Sequence, residues 1–157
     1  MDARCAFVLR RATDADAADV TAVHLAARAA VMPHLPRLHS DAEILAYFRG
    51  LIVGEHWDVR VVEAGGRVVA FSARIDEHLD HLYVLPACQR RGIGRALLEQ
   101  ARRASGGALR LYCFQCNAGA RAFYEAVGFA AEAFSDGAGN PEREPDILYR
   151  WPAELSA

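Results

Sequence analysis

Gln-Arg-Arg-Gly-Ile-Gly-Arg-Ala-Leu-Leu, residues 89–98, couples a basic, glycine-containing turn to the start of a helical pattern. Leu97, Leu98 and Ala101 recur at the spacing of one apolar helix face. Glycine in a helix costs about 1 kcal/mol relative to alanine, so Gly92 and Gly94 need a reason. The stretch follows a β-rich run that stops at Pro86, so it reads as strand, turn and helix. A helix start presents backbone N–H groups without intrahelical partners at the positive end of the dipole. Glycine lets phosphate oxygens approach those groups, and Arg90, Arg91 and Arg95 add charge-assisted donors suited to a diphosphate. The two familiar nucleotide fingerprints do not fit. A P-loop needs a lysine, and all 18 basic residues are arginine; a dinucleotide turn needs a third glycine where Leu97 stands.

Outward from this stretch, the apolar spacing alternates between a period of two and one near 3.6. Residues 7–10 read as a short strand, 14–30 as a helix with Thr13 at its N-cap, and 41–52 as a helix capped by Ser40 or Asp41. Two prolines break the pattern at 32–39. Residues 57–63 and 68–75, joined through two glycines, carry a hairpin signal, and another strand spans 78–85. The helix opened by the glycines runs to about 105. A strand at 108–114, a helix at 118–127 and strands near 129–134 and 147–151 follow. No repeat or linker interrupts the order, so residues 1–157 read as a single α/β domain.

Length and composition narrow the function. At 157 residues, 53% apolar and 24% charged, the chain can bury a sizeable core. A net charge of −2 gives no basic field for nucleic acid. Without lysine there is no catalytic lysine or Schiff base. No apolar run approaches the roughly 20 residues that span a bilayer, and the apolar stretch near the start is too short for a signal peptide. The expected location is cytoplasmic, with no membrane partner. Cys5, Cys88, Cys113 and Cys116 suggest no disulfide framework. Cys113-x-x-Cys116 lacks the second pair or the histidines of a zinc motif, so structural thiols and no metal are expected.

The pattern Q-x-x-G-x-G, preceded by Leu82-Tyr83-Val84-Leu85-Pro86, resembles the acetyl-CoA-binding motif of the GNAT N-acetyltransferase superfamily. Residues 117–129 resemble that family's N-x-x-A-x-x-F-Y-E-x-x-G-F segment through Asn117, Ala120, Phe123, Tyr124, Glu125, Gly128 and Phe129. The element order over 7–151 matches as well, so the resemblance covers nearly the whole chain. It implies a mixed, strongly bent sheet of about seven strands, with the fourth and fifth splayed apart, flanked by four helices. It implies acetyl-CoA as cosubstrate, no metal, and direct acetyl transfer to a primary amine in a ternary complex. Backbone groups of Leu82, Tyr83 and Val84 would hold the pantetheine and the acetyl carbonyl. The amides of Gln89, Arg90, Arg91, Gly92, Ile93, Gly94 and Arg95 would hold the pyrophosphate, and Asn117 the pantetheine arm. Tyr124 matches the family's general acid, since a phenol with an ordinary pKa near 10 is protonated at neutral pH.

The base stays open. Where some relatives carry glutamate this chain has Tyr112, which leaves His78 and Asp80 on the fourth strand, or ordered water, to take the proton. Strict alternation would put His78, Asp80 and Leu82 on one strand face and His81 and Tyr83 on the other. The loops at 32–39 and 135–146 would wall the acceptor site. Asp136, Glu142, Glu144 and Asp146, against one Arg143, would attract a cationic amine or form only a solvated turn. Small-molecule amines and peptide N-termini both remain as acceptors, and monomer and homodimer both remain as assemblies. Two alternatives stand beside the transferase. A non-catalytic acetyl-CoA-binding sensor would need no acid, and Tyr124 in register argues against it. An acyltransferase using a larger acyl-CoA depends on cavity size, which motifs do not report.

Overall fold

The computed structural model describes residues 6–153, so Cys5 lies outside the described residues. The elements run β1 (Phe7–Arg11), α1 (Ala17–Val31), α2 (Asp41–Val53), β2 (Asp58–Ala64), β3 (Arg67–Ile75), β4 (His78–Val84), α3 (Ile93–Ala104), β5 (Leu109–Phe114), α4 (Ala118–Ala126), β6 (Ala130–Ser135) and β7 (Asp146–Trp151). The strands form one sheet in the order β1-β2-β3-β4-β5-β7-β6. No helix among the described residues is long and apolar enough to cross a membrane.

Local chemistry explains most boundaries. Ser40 caps α2 by accepting from the Glu43 amide at 3.2 Å, and the Glu43 carboxylate accepts from the Ser40 amide in return at 3.1 Å. Gly65 and Gly66, at φ +60° and +78°, make the two-residue turn that pairs Ala64 with Arg67. The helix expected from residue 14 opens instead as a short 3₁₀ turn, Asp14–Asp16. There the buried Asp16 carboxylate accepts from the Thr13 amide at 2.7 Å and from Arg10 at 2.8 Å.

Helices cover both faces of the sheet. Val61 and Val62 are neighbours on β2, yet Val61 joins a core with Val20, Val23, Phe48 and Phe71, while Val62 joins one with Val69, Ile93 and Leu97. Successive strand residues point to opposite faces, so α1 and α2 lie on one side and α3 on the other. That is why β3 is buried from Val68 to Ala73 without a polar face. A third core gathers Leu79, Leu98, Leu109, Leu111, Tyr124, Ile147 and Tyr149 around β5, β7 and α4.

β4 and β5 run parallel but share a single register pair, His78 with Arg110. Beyond it they part. The expected splay between the fourth and fifth strands is therefore present. A shift in the β3–β4 ladder accompanies it. Ala73 faces His81, but Arg74 faces Leu79, so Asp80 is the extra residue of a β-bulge. The bulge corrects the alternation read from the sequence. Leu79 and Leu82 now pack toward α3 and α4, and His81 and Tyr83 stack on Phe71 from the opposite side.

Candidate active site

The splayed strands open a cavity of about 660 Å³. β4 lines it with Leu79 to Tyr83, β5 with Leu111 to Phe114, and α4 with Asn117, Ala120 and Tyr124. Each strand has a partner on its outer side, β3 for β4 and β7 for β5, but neither pairs with the other past His78. Every extended residue carries one N–H and one C=O, and a strand directs them alternately to its two neighbours. The two inner edges therefore face the cavity with backbone donors and acceptors, inside the sheet rather than at its rim.

Beside the gap lies the glycine-containing turn of residues 89–95 that leads into α3. Gly92 occupies the left-handed region at φ +82° and starts α3 with no side-chain cap, so its glycine is required by conformation. Gly94 has a different reason. A Cβ there would make only ordinary contacts, 3.7 Å from Phe123 Cζ and 3.8 Å from Val84 Cγ2, so a larger side chain, not a methyl group, would fill the space between β4 and α4. Ile93 is buried against the sheet and seats the helix, and Arg95 follows in its first turn. Gln89 braces the turn by donating from Nε2 to the Val84 carbonyl at 3.2 Å. Arg90 sits at φ +63°, next to Arg91.

Three hydroxyl and thiol groups converge inside the gap. Tyr124 is 8% exposed and stacks on Phe123, Phe129 and Tyr149. Tyr124 is more buried than its helix neighbour Phe123 and still lines the cavity. Burial pushes its phenol well above the ordinary tyrosine value, with Cys113 and Tyr83 adding to the shift. Burial likewise pushes Tyr83 up to about 12 and Cys113 up to about 11. All three are protonated at neutral pH. Asn117 uses its side-chain oxygen to cap α4, accepting from the Ala120 amide at 3.1 Å, which leaves its NH₂ group for the cavity it lines.

A second cavity of about 830 Å³ lies between α1, α2 and the loop joining them. It shares His24, Arg28, Met32, His81 and Glu142 with the first, so the two meet at these side chains. His24 and His81 belong to an aromatic cluster: His24 lies 4.9 Å from Tyr83 and 5.1 Å from Phe48, ring centre to ring centre. Burial lowers His24 to about 4 and His81 to about 3, and each has an Nδ1 with no protein partner. His81 Nε2 and the Tyr47 hydroxyl are 3.0 Å apart.

Of the two candidate bases, Asp80 lines the first cavity and His78 does not. His78 stands at the paired end of β4, opposite Ile75 and Arg110, and both it and Asp80 are exposed. Partial desolvation raises the Asp80 carboxyl, and the His78 charge opposes that shift. The acidic loop has its charges engaged. Glu142 pairs with Arg28 at 3.5 Å, Glu144 with His34 at 3.5 Å, Asp146 accepts from Asn140 at 3.1 Å, and Asp136 accepts from the Ala138 amide at 2.9 Å. Sequence reasoning missed the contribution of α1. His24 and Arg28 reach the site from opposite the motifs, and no spacing rule links them to β4.

A family model described as acetyltransferase (GNAT) domain matches residues 53–131, half of the chain. Among solved structures, apo YjaB from Escherichia coli superposes with a TM-score of 0.77 at 20% identity, covering 95% of this chain and 99% of that one. YncA from Salmonella typhimurium, a putative acetyltransferase solved with acetyl-CoA, gives 0.69 at 22% identity over 97% and 96%. The PaiA N-acetyltransferase of Thermoplasma acidophilum, solved with coenzyme A, gives 0.68 at 18% identity over 92% and 98%. No curated protein sequence matches the chain.

Proposed function

The chain belongs to the GNAT acetyltransferase family, and from that premise we propose that it transfers the acetyl group of acetyl-CoA to a primary amine bound beside His24 and His81. The observation that carries this reading is the pair of unpaired strand edges facing each other across the 660 Å³ gap. A pantetheine arm carries amides at strand-like spacing and would complete both edges. Leu82, Tyr83 and Val84 would bind it through their backbones, Asn117 through its NH₂ group. The uncapped start of α3, with Gly92, Ile93, Gly94 and Arg95 behind Gln89, Arg90 and Arg91, supports diphosphate binding at the outer end of the gap.

The amine would enter through the second cavity and meet the thioester near His81. Asp80 is the group best suited to take its proton, directly or through water, because it lines the gap, its carboxyl is raised by partial desolvation, and it stays open to solvent. His81, at about 3, is too weak a base for that task and serves as an uncharged wall. An amide of β4 near Val84 would hold the tetrahedral oxyanion. Tyr124, protonated and buried in the gap, would donate to the leaving thiolate. The presence of this donor favours an enzyme over a sensor.

Calorimetric titration with acetyl-CoA, paired with an amine screen read by thiol release, tests the reading. Gly94→Glu should abolish cofactor binding in a folded protein, because a carboxylate would fill the space beside the diphosphate amides. Unchanged affinity in that variant, or no amine that releases thiol, would count against the assignment.

A further inference from the structure

Three loops that are remote in sequence bring one side chain each together at the surface. His34 comes from the α1–α2 connection, Cys116 from the turn between β5 and α4, and Glu144 from the β6–β7 connection. Their ligand atoms all lie within 4.8 Å of one another, and His34 Nε2 is 3.5 Å from Glu144 Oε1. Two donors bound to a tetrahedral ion at about 2.0–2.2 Å stand about 3.4 Å apart, so this pair is already at ligand spacing. We propose that His34, Cys116 and Glu144 form a binding site for a zinc-like divalent cation.

The donor set selects the ion. A thiolate, an imidazole and a carboxylate suit zinc or cobalt, whereas magnesium and calcium require oxygen ligands throughout. His34 and Cys116 are exposed and Glu144 is half-buried, so the fourth position faces solvent and a water completes it. The sequence argued against a metal because Cys113-x-x-Cys116 has no matching pair. The structure separates the two thiols: Cys113 is buried in β5 against the gap, and Cys116 turns outward to the loops. An ion there would tie the residue preceding Asn117 to both acceptor-side loops. That consequence rests on the transferase reading; the site itself does not.

The full chain, stripped of metal with a chelator under reducing conditions, is titrated with Co²⁺ in the absence of acetyl-CoA and amine. One ion per chain is expected, with a thiolate-to-cobalt charge-transfer band that Zn²⁺ bleaches. Cys116→Ser should remove the band, and His34→Gln should weaken cobalt binding by an order of magnitude. Cys88→Ser should change neither. Both ligand positions are exposed, and circular dichroism confirms that each variant is folded. A band that survives Cys116→Ser, affinity untouched by His34→Gln, or no cobalt bound at all overturns the site. None of these outcomes bears on acetyl-CoA binding, so the two proposals fail separately.

Discussion

Within β1–β4 and within β5–β7, neighbouring strands are laced by ladders of five to seven paired residues, whereas one pair, His78 with Arg110, joins the two halves. The first half is packed on both faces, with Val20, Val61, Val62 and Phe71 at or near zero exposure. The seam between the halves is instead lined by polar backbone and by Tyr83, Cys113 and Tyr124. A folded chain does not leave rows of backbone donors and acceptors at its centre unless something else satisfies them. The contrast locates stability in the ladders and chemistry in the seam.

The largest effect should fall in the first half. Phe48 is 1% exposed and touches His24, Tyr47, Phe71 and His81 through ring contacts. Phe48→Ala should cost about 3–5 kcal/mol of unfolding free energy in a denaturant titration. Tyr112, on the seam and 63% exposed, should cost within about 0.5 kcal/mol when changed to alanine. Equal losses at the two positions would remove the distinction between packed half and seam.

Chemistry should show the reverse pattern. Tyr124→Phe should lower kcat by about 100-fold with acetyl-CoA affinity kept, the low end for a general acid. Asp80→Asn should lower kcat by a similar factor and remove the acidic limb of the rate–pH profile. That limb should follow a raised carboxyl, and His78→Ala should leave it in place. Loss of the limb in His78→Ala alone would return the proton to His78 and require β4 to present its other face to the gap.

How much of this was legible in the sequence depends on the range of the interaction involved. Strands and helices followed from apolar period and turn residues, and their ends fall within a few residues of those expected, because Gly65-Gly66 and Ser40 act locally. The splay came from the resemblance, not from periodicity. The bulge at Asp80 was invisible because alternation assumes a regular ladder, and one inserted residue reverses the faces beyond it. The sequence does not show that Glu142 of the acidic loop pairs with Arg28 from α1, or that His34 lies 3.5 Å from Glu144. The His24–His81 wall was missed for the same reason. Its members come from different elements and meet only after the sheet is assembled.

That wall makes stability depend on pH. Burial holds His24 at about 4 and His81 at about 3, below the ordinary value of 6.5. The unfolded chain therefore binds more protons below pH 6.5, so stability is complete above that pH and declines as pH falls toward 4 and then 3. At pH 5 each histidine should contribute a loss of about 2 kcal/mol. Thermal unfolding followed from pH 8 to 5 should show a falling Tm, and replacing both histidines with phenylalanine should flatten the curve. A slope unchanged in the double variant would take the pH dependence away from the two histidines; Asp16, held at about 2, loses its stabilisation only below about pH 4.

The smallest effect is also the most specific. Tyr47 and His81 share one hydrogen bond of 3.0 Å at the junction of the two cavities. Tyr47→Phe keeps the ring and deletes the hydroxyl, so it should cost about 1 kcal/mol at pH 8. What happens on acidification identifies the donor. If the phenol donates to Nε2, the bond favours the neutral imidazole, and its removal lets His81 take a proton more easily. Wild type and variant should then keep a constant difference down to about pH 5 and converge only as pH falls toward 3, where His81 titrates. If the imidazole donates to the phenol oxygen, the charged ring would hold that bond more strongly, and the two proteins should diverge instead. Convergence is expected, because a neutral, firmly held His81 fits a wall that excludes charge from the acceptor's path. Divergence would make His81 a proton carrier poised beside Asp80, and the seam's chemistry would then extend into the packed half.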